Sequence, residues 1–280
     1  MRQDALTTEQ SMLHRLTRHS GALALAVATI VTTAFALSSA GCAAKGPELQ
    51  EPDVVVAPYT GVREAVWAVA PVRNESGTAL FEPDEIADAL IKSAEEARGL
   101  RAVPLNRTIA AMRALDMPAV VTPDDALAIA DAVGADAVLV AVVTAYDPYD
   151  PPTLGLTLAL FGDSLRLHGA GPPVDVDPIG LSSAPSDLAA LPRTSYRDRP
   201  LSTVSEMLDA RNHQVLRDLI EFARGRHDVE GPMGYRVYTA RMDLFTEFAA
   251  ATAVDRLLQE ERLRLTRERV ARTASVPTGG

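Results

Sequence analysis

The chain has 280 residues, with 27 Lys and Arg against 37 Asp and Glu, and its hydrophobic (47%) and charged (23%) fractions are those of a globular protein rather than a disordered one. Residues 1–41 carry three basic and two acidic residues, so setting them aside leaves 24 Lys and Arg against 35 Asp and Glu. That acidity argues against nucleic acid as a partner, because binding phosphate needs a basic footprint.

The first element in chain order is a leader. An uncharged apolar run at residues 21–37 follows His14, Arg15, Arg18 and His19 and precedes the small residues Ser38, Ser39, Ala40 and Gly41, which is the basic, apolar, small-residue order of a secretory signal. Asp4 and Glu9 suit such a leader poorly, whereas Met12 would open a compact basic one. Residues 1–41 therefore read as a signal peptide with Met12 as a candidate start. The run is slightly shorter than the ~20 residues that cross a bilayer, which keeps an uncleaved anchor open as an alternative. Cys42 is the only cysteine, so no intramolecular disulfide can form. Ser39-Ala40-Gly41-Cys42 resembles a lipobox, where bacterial enzymes attach diacylglycerol to the cysteine sulfur and then cleave before it. That pattern usually has Leu three residues before the cysteine, and here Ser39 stands there. The resemblance implies cleavage between Gly41 and Cys42, lipidation of Cys42, and a lipid bilayer as partner of the acylated residue, each buried methylene contributing ~0.8 kcal/mol. A free cysteine after an ordinary signal peptide is the competing reading. In the lipoprotein-sorting pattern that this resembles, Ala43 in place of an aspartate implies the outer membrane, with the domain facing the periplasm.

Residues 42–61, rich in Pro and polar groups, read as the lipidated cysteine and a flexible tether. Residues 64–72 form a near-continuous apolar strand of the kind buried on both faces, with Trp67 in the core, and residues 73–77 form a loop. Pro83 at the first helical position, with Asp84 and Glu85 behind it, opens a helix that carries Ile86, Ala89, Leu90 and Ala94 and ends at Gly99. Residues 100–104 are a short strand, and Asn106 caps a second helix carrying Ile109, Met112 and Leu115. Thr122-Pro123-Asp124-Asp125 combines a cap, a first-position proline and an acidic third residue. It opens a helix with Ala126, Leu127, Ile129 and Ala130 on its apolar face, ending at Gly134. Residues 137–144 and 153–161 are neighbouring strands of one sheet, the second alternating Leu154, Leu156, Leu158 and Leu160 with small or polar residues. Tyr146, Asp147, Tyr149 and Asp150 sit in the proline-stiffened turn between them.

Residues 164–168 read as a further strand, residues 169–200 as an exposed loop dense in Pro, Ser and Gly, and residues 201–209 as a final strand. An amphipathic helix follows at 212–224. The long helix at 239–267 carries a stripe of Leu244, Phe245, Phe248, Ala251, Val254, Leu257 and Leu258, assigned to the core. The basic stretch 262–272, interleaved with glutamates, reads as a solvated helix face. The expected fold class is α/β (α+β): a small mixed sheet with helices packed on it, plus a long C-terminal amphipathic helix. The domain spans 62–267, with 268–280 a disordered tail.

Several of these features together resemble the small α/β domain of the TolB amino-terminal type, shared with curli-secretion and penicillin-binding-protein-activator lipoproteins. They are the strand 66–72 running into Asn74-Glu75-Ser76-Gly77, the helix with Asp88-Ala89-Leu90, and Ala128-Ile129-Ala130 leading to Gly134-Ala135-Asp136-Ala137-Val138-Leu139. Residues 204–210 look like that family's late strand. The resemblance implies a non-catalytic protein that docks other envelope proteins or assembles into rings.

The histidines behind the leader, His168, His213 and His227, lack metal-ligand spacing, and no phosphate loop, nucleophile elbow or zinc-protease motif occurs. No catalytic residue, metal ligand or cofactor is assigned. Asp147 and Asp150, alternating with Tyr and Pro, read as turn-formers. The expected function is an envelope docking or assembly module. Tyr146, Asp147, Tyr149 and Asp150 and the 169–200 loop are its contacts to other envelope proteins or to further copies of the chain. The alternatives are a subunit of a curli-type secretion pore, whose membrane hairpin would be residues 153–161 with 164–168, and a hydrolase.

Overall fold

The computed structural model describes residues 54–59, 61, 63–167, 199–226 and 231–274. An apolar run with no polar face must lie between two layers, and β1 (Ala65–Val69) does so with all five residues buried. Ala65, Trp67 and Val69 enter one core, while Val66 and Ala68 enter the other. Pro71 has no N–H to give to a ladder and interrupts the run, after which the chain pairs again as β2 (Arg73–Asn74). The loop expected at 73–77 therefore begins only after Asn74. Arg73 and Asn74 are paired in parallel with Val142 and Val143, and the Asn74 carboxamide oxygen accepts from the Ser76 N–H at 3.0 Å to start the turn.

The remaining strands are β3 (Leu100–Val103), β4 (Ala137–Asp147), β5 (Thr153–Gly162) and β6 (Ser202–Asp209). The sheet order is β3-β1-β4-β5-β6, with β2 also on β4. It is parallel where β1 meets β3 and β4, and antiparallel from β4 through β6. On one face lie α1 (Pro83–Glu96), α5 (His213–Ala223) and the long α7 (Met242–Ala274), sharing a core with Trp67, Leu139 and all four leucines of β5. The other face is covered over β1 and β4 by α2 (Leu105–Ala114) and α3 (Pro123–Val133). The mixed sheet, the packed helices and the long C-terminal helix are those the sequence led us to expect.

Local signals explain most helix ends. Pro83 occupies the first position of α1. At α3 the Thr122 hydroxyl accepts from the Asp125 N–H (3.2 Å) while the Asp125 carboxylate accepts from the Thr122 N–H (2.8 Å), and Gly134 leaves the helix in the left-handed region at φ 73°. Asn106 is not a cap: α2 begins one residue earlier, and the Pro104 carbonyl accepts the Arg107 N–H at 2.9 Å without a side-chain cap. α1 ends at Glu96, ahead of Gly99, which turns the chain into β3 at φ 89°.

Further expectations change. Ser164–Leu167 is a helical turn, α4, not a strand: the Leu167 N–H bonds the Asp163 carbonyl, and Arg166 pairs with Asp131 of α3 at 2.6 Å. The membrane hairpin of the pore reading is therefore not formed, and the leucine face of β5 is fully buried in the core it shares with α7. The long helix starts at Met242, because Arg241 is extended and separates it from the short α6 (Val237–Ala240), and it continues to Ala274, through part of the expected tail. Residues 168–198, most of the expected loop, lie outside the described residues. The tether, finally, is not free over its whole length. Val56 bridges Arg98 in parallel, the Ala57 N–H bonds the Arg98 carbonyl, and the Arg98 N–H bonds the Val55 carbonyl, both at 2.9 Å.

Candidate docking surface

Gly41 and Cys42 lie outside the described residues. The four turn residues stay together at one end of the β4–β5 hairpin, but they are not equivalent. Tyr146 and Asp147 are the last residues of β4, in register with Leu154 and Thr153. Tyr146 turns back onto the domain and packs on Phe81 with ring centroids 4.7 Å apart. Burial, and next the charge of Glu85, push its phenol above the ordinary value. Asp147 accepts from the Tyr149 N–H at 3.2 Å, which makes it the turn-former expected, and Arg211 reaches its other oxygen at 4.0 Å. Tyr149 is 72% exposed, and Asp150 beside it is exposed as well.

Beside Tyr146 runs a groove of about 320 Å³. One wall is α1, through Glu85, Asp88 and Lys92; the other is α7, through Asp243, Thr246 and Glu247; Phe81 and Tyr146 also line it. Lys92 pairs with Glu247 across the groove at 3.0 Å. The Arg241 guanidinium forks onto Asp243, its Nε donating at 3.1 Å. Glu85 and Asp88 have no ion-pair partner among the described residues. Helical spacing shows each half of this wall in the sequence, but nothing local shows that the two helices meet.

A second groove, about 400 Å³, lies where Val54 and Val55 cross α1, α5 and α7. Arg226 sits over the Phe222 ring there at 4.4 Å and pairs with Glu96 at 2.9 Å. Below it the chain is fastened by a polar cluster that sequence reasoning missed. Glu261 has no exposed surface; Arg264 donates to both of its oxygens at 2.8 Å, the Ser202 hydroxyl donates at 2.5 Å and the Tyr59 hydroxyl at 3.3 Å. Arg264 also donates to Glu268 at 2.6 Å and to Ser164 at 3.1 Å. Burial works against the Arg264 charge, but the bonds to Glu261 outweigh it and hold its pKa above the usual guanidinium value. The Arg262 guanidinium donates to the Val56 carbonyl at 3.0 Å. His213 is exposed, while His168 and His227 lie outside the described residues. Among the described residues no group of three or more His, Cys, Asp or Glu is placed to hold a metal ion, and no helix is long and apolar enough to cross a membrane.

No protein-family model and no curated protein matches the chain. Among solved structures, the C-terminal domain of LpoB from Salmonella enterica is similar at 16% identity over 56% of this chain and 87% of its own, with a TM-score of 0.33. A lipoprotein of Neisseria meningitidis is similar at 17% identity over 56% of this chain and 91% of its own, with a TM-score of 0.32. The PelC dodecamer from Paraburkholderia phytofirmans matches at 12% identity over 73% of this chain and 94% of its own, with a TM-score of 0.30.

Proposed function

We propose that this chain is a lipoprotein of the cell envelope, cleaved between Gly41 and Cys42, acylated on Cys42 and held at the outer membrane. Its α/β domain faces the periplasm and docks other envelope proteins without catalysis. The observation that supports this reading is how the chain behind Cys42 meets the domain. Between Val55 and Tyr59 it is hydrogen-bonded to Arg98, Glu261 and Arg262, and the 12 residues that separate Cys42 from Val55 span at most ~43 Å at full extension. A lipid on Cys42 would therefore confine the domain to a thin layer beside the bilayer, raising its effective concentration towards partners in that layer. The β4–β5 turn supplies a contact surface, with Tyr149 exposed and Asp147 holding its backbone.

A photo-crosslinking residue in place of Tyr149, in the full chain in intact envelopes, tests the reading. Discrete adducts with an envelope protein are expected, strong with Cys42 present and weak in the Cys42→Ser chain. Absent adducts, or the same adducts from both chains, would count against anchored docking.

A further inference from the structure

We propose that the groove between α1 and α7 receives an arginine side chain carried on an extended segment of the partner protein. The inference rests on the docking reading and names its contact. Glu85 and Asp88 stand one turn apart on α1, both exposed, and neither has an ion pair among the described residues. Across from them Asp243 and Glu247 already have cations, Arg241 and Lys92. The unneutralised charge therefore lies on the α1 wall.

Thr246 lines the groove with 7% of its surface exposed, and its hydroxyl has no hydrogen-bond partner among the described residues, where Thr252 and Thr266 of the same helix each bond a backbone carbonyl. The hydroxyl oxygen stays accessible from the groove, where a guanidinium N–H can donate to it. Phe81 and Tyr146, whose ring planes are tilted 31° to one another, also line the groove, and on an aromatic ring a planar guanidinium packs better than a compact ammonium. A metal ion suits the site less, since none of these carboxylates belongs to a group of three placed to hold one. The volume of about 320 Å³ admits one long side chain and a little backbone.

The test uses the full chain purified in a nonionic detergent and a fluorescein-labelled, end-blocked peptide, Gly-Leu-Arg-Leu-Arg-Gly, followed by fluorescence anisotropy. The same peptide with citrulline for arginine keeps the shape and removes the charge. Wild type is expected to bind the arginine peptide and not the citrulline one, with the Glu85→Gln/Asp88→Asn chain weaker by about tenfold or more. Thr246→Val should also weaken binding, at an unchanged melting temperature. Asp116→Asn/Asp124→Asn removes as much charge from the α2–α3 side and is expected to bind as wild type. Equal binding by wild type and the Glu85→Gln/Asp88→Asn chain, equal loss in the control pair, or equal binding of both peptides overturns the proposal. Crosslinks from position 149 that persist unchanged in the Glu85→Gln/Asp88→Asn chain would sink this groove while leaving docking intact. Peptide binding as expected with no envelope crosslink would keep the groove and sink the docking reading.

Discussion

Glu261 is a carboxylate without exposed surface in a stretch that alternates arginine and glutamate. Such a charge persists only if its lone pairs are filled, and Arg264, Ser202 and Tyr59 fill them. Tyr59 carries the measurable consequence. Burial, then the charge of Glu261, holds its phenol well above the ordinary value, so in the folded chain the proton stays on at pH values where the unfolded chain has lost it. A group whose folded pKa is raised contributes stability that is fully present below the unfolded value, about 10, and is lost as pH rises from there towards the folded pKa. The chain is therefore expected to lose stability above about pH 10, and Tyr59→Phe should lose less over the same range. Urea midpoints of the two chains between pH 8 and 11.5 measure this; parallel curves would show that the phenol is not coupled to folding.

At the scale of elements, helical spacing finds the α7 stripe, but it cannot grade the members. Phe245, Phe248, Val254, Leu257 and Leu258 are buried, whereas Leu244 and Ala251 are only half-buried at its margins. A carboxylate at Phe248 must either stay hydrated inside the core or take up a proton, at a cost of several kcal/mol. One at Leu244 can reach water. Phe248→Asp is thus expected to abolish the cooperative thermal transition, and Leu244→Asp to leave it with a modestly lower midpoint. Equal midpoints for the two chains would mean that the stripe is not packed as described. The β5 strand carries a similar distinction between look-alike residues. A Cβ on Gly162 would come within 2.6 Å of the Asp136 carbonyl oxygen, a backbone atom with no room to give, so this glycine is dictated by the neighbouring strand rather than by the turn that follows it.

At the scale of the whole molecule, the proposed lipid on Cys42 would decide where the domain works. The sulfur is the acyl acceptor in the lipobox pattern and cleavage follows acylation, so Cys42→Ser is expected to remove fatty-acid labelling and to accumulate the longer, uncleaved chain. Metabolic labelling with an alkyne fatty acid, read on a gel, checks both outcomes at once. Equal labelling of the two chains would move the lipid, if any, to another residue. The substitution should leave the melting transition where it is, because the segment that stabilises the domain, Val55 to Tyr59, lies beyond the cysteine and is bonded to Arg98 and Glu261 whether or not a lipid is present.

What the sequence by itself determined was local. The buried runs of β1 and β4, the proline that opens α1 and the reciprocal cap of α3 are set by a residue and its nearest neighbours, which is the range over which spacing and capping act. The same locality explains the misses: Asn106 has the chemistry of a cap, but Pro104 had already fixed the chain direction at φ −56°, and Ser164–Leu167 coils because Arg166 finds Asp131, a residue 35 positions away. Only the tertiary structure decided that Glu261 is buried, that residues 55–59 are bonded to the domain, and that Glu85 and Asp88 face Thr246 across a groove. Each depends on segments far apart in the chain, Tyr59 and Glu261 being separated by 202 positions, and no periodicity or cap carries information over that distance.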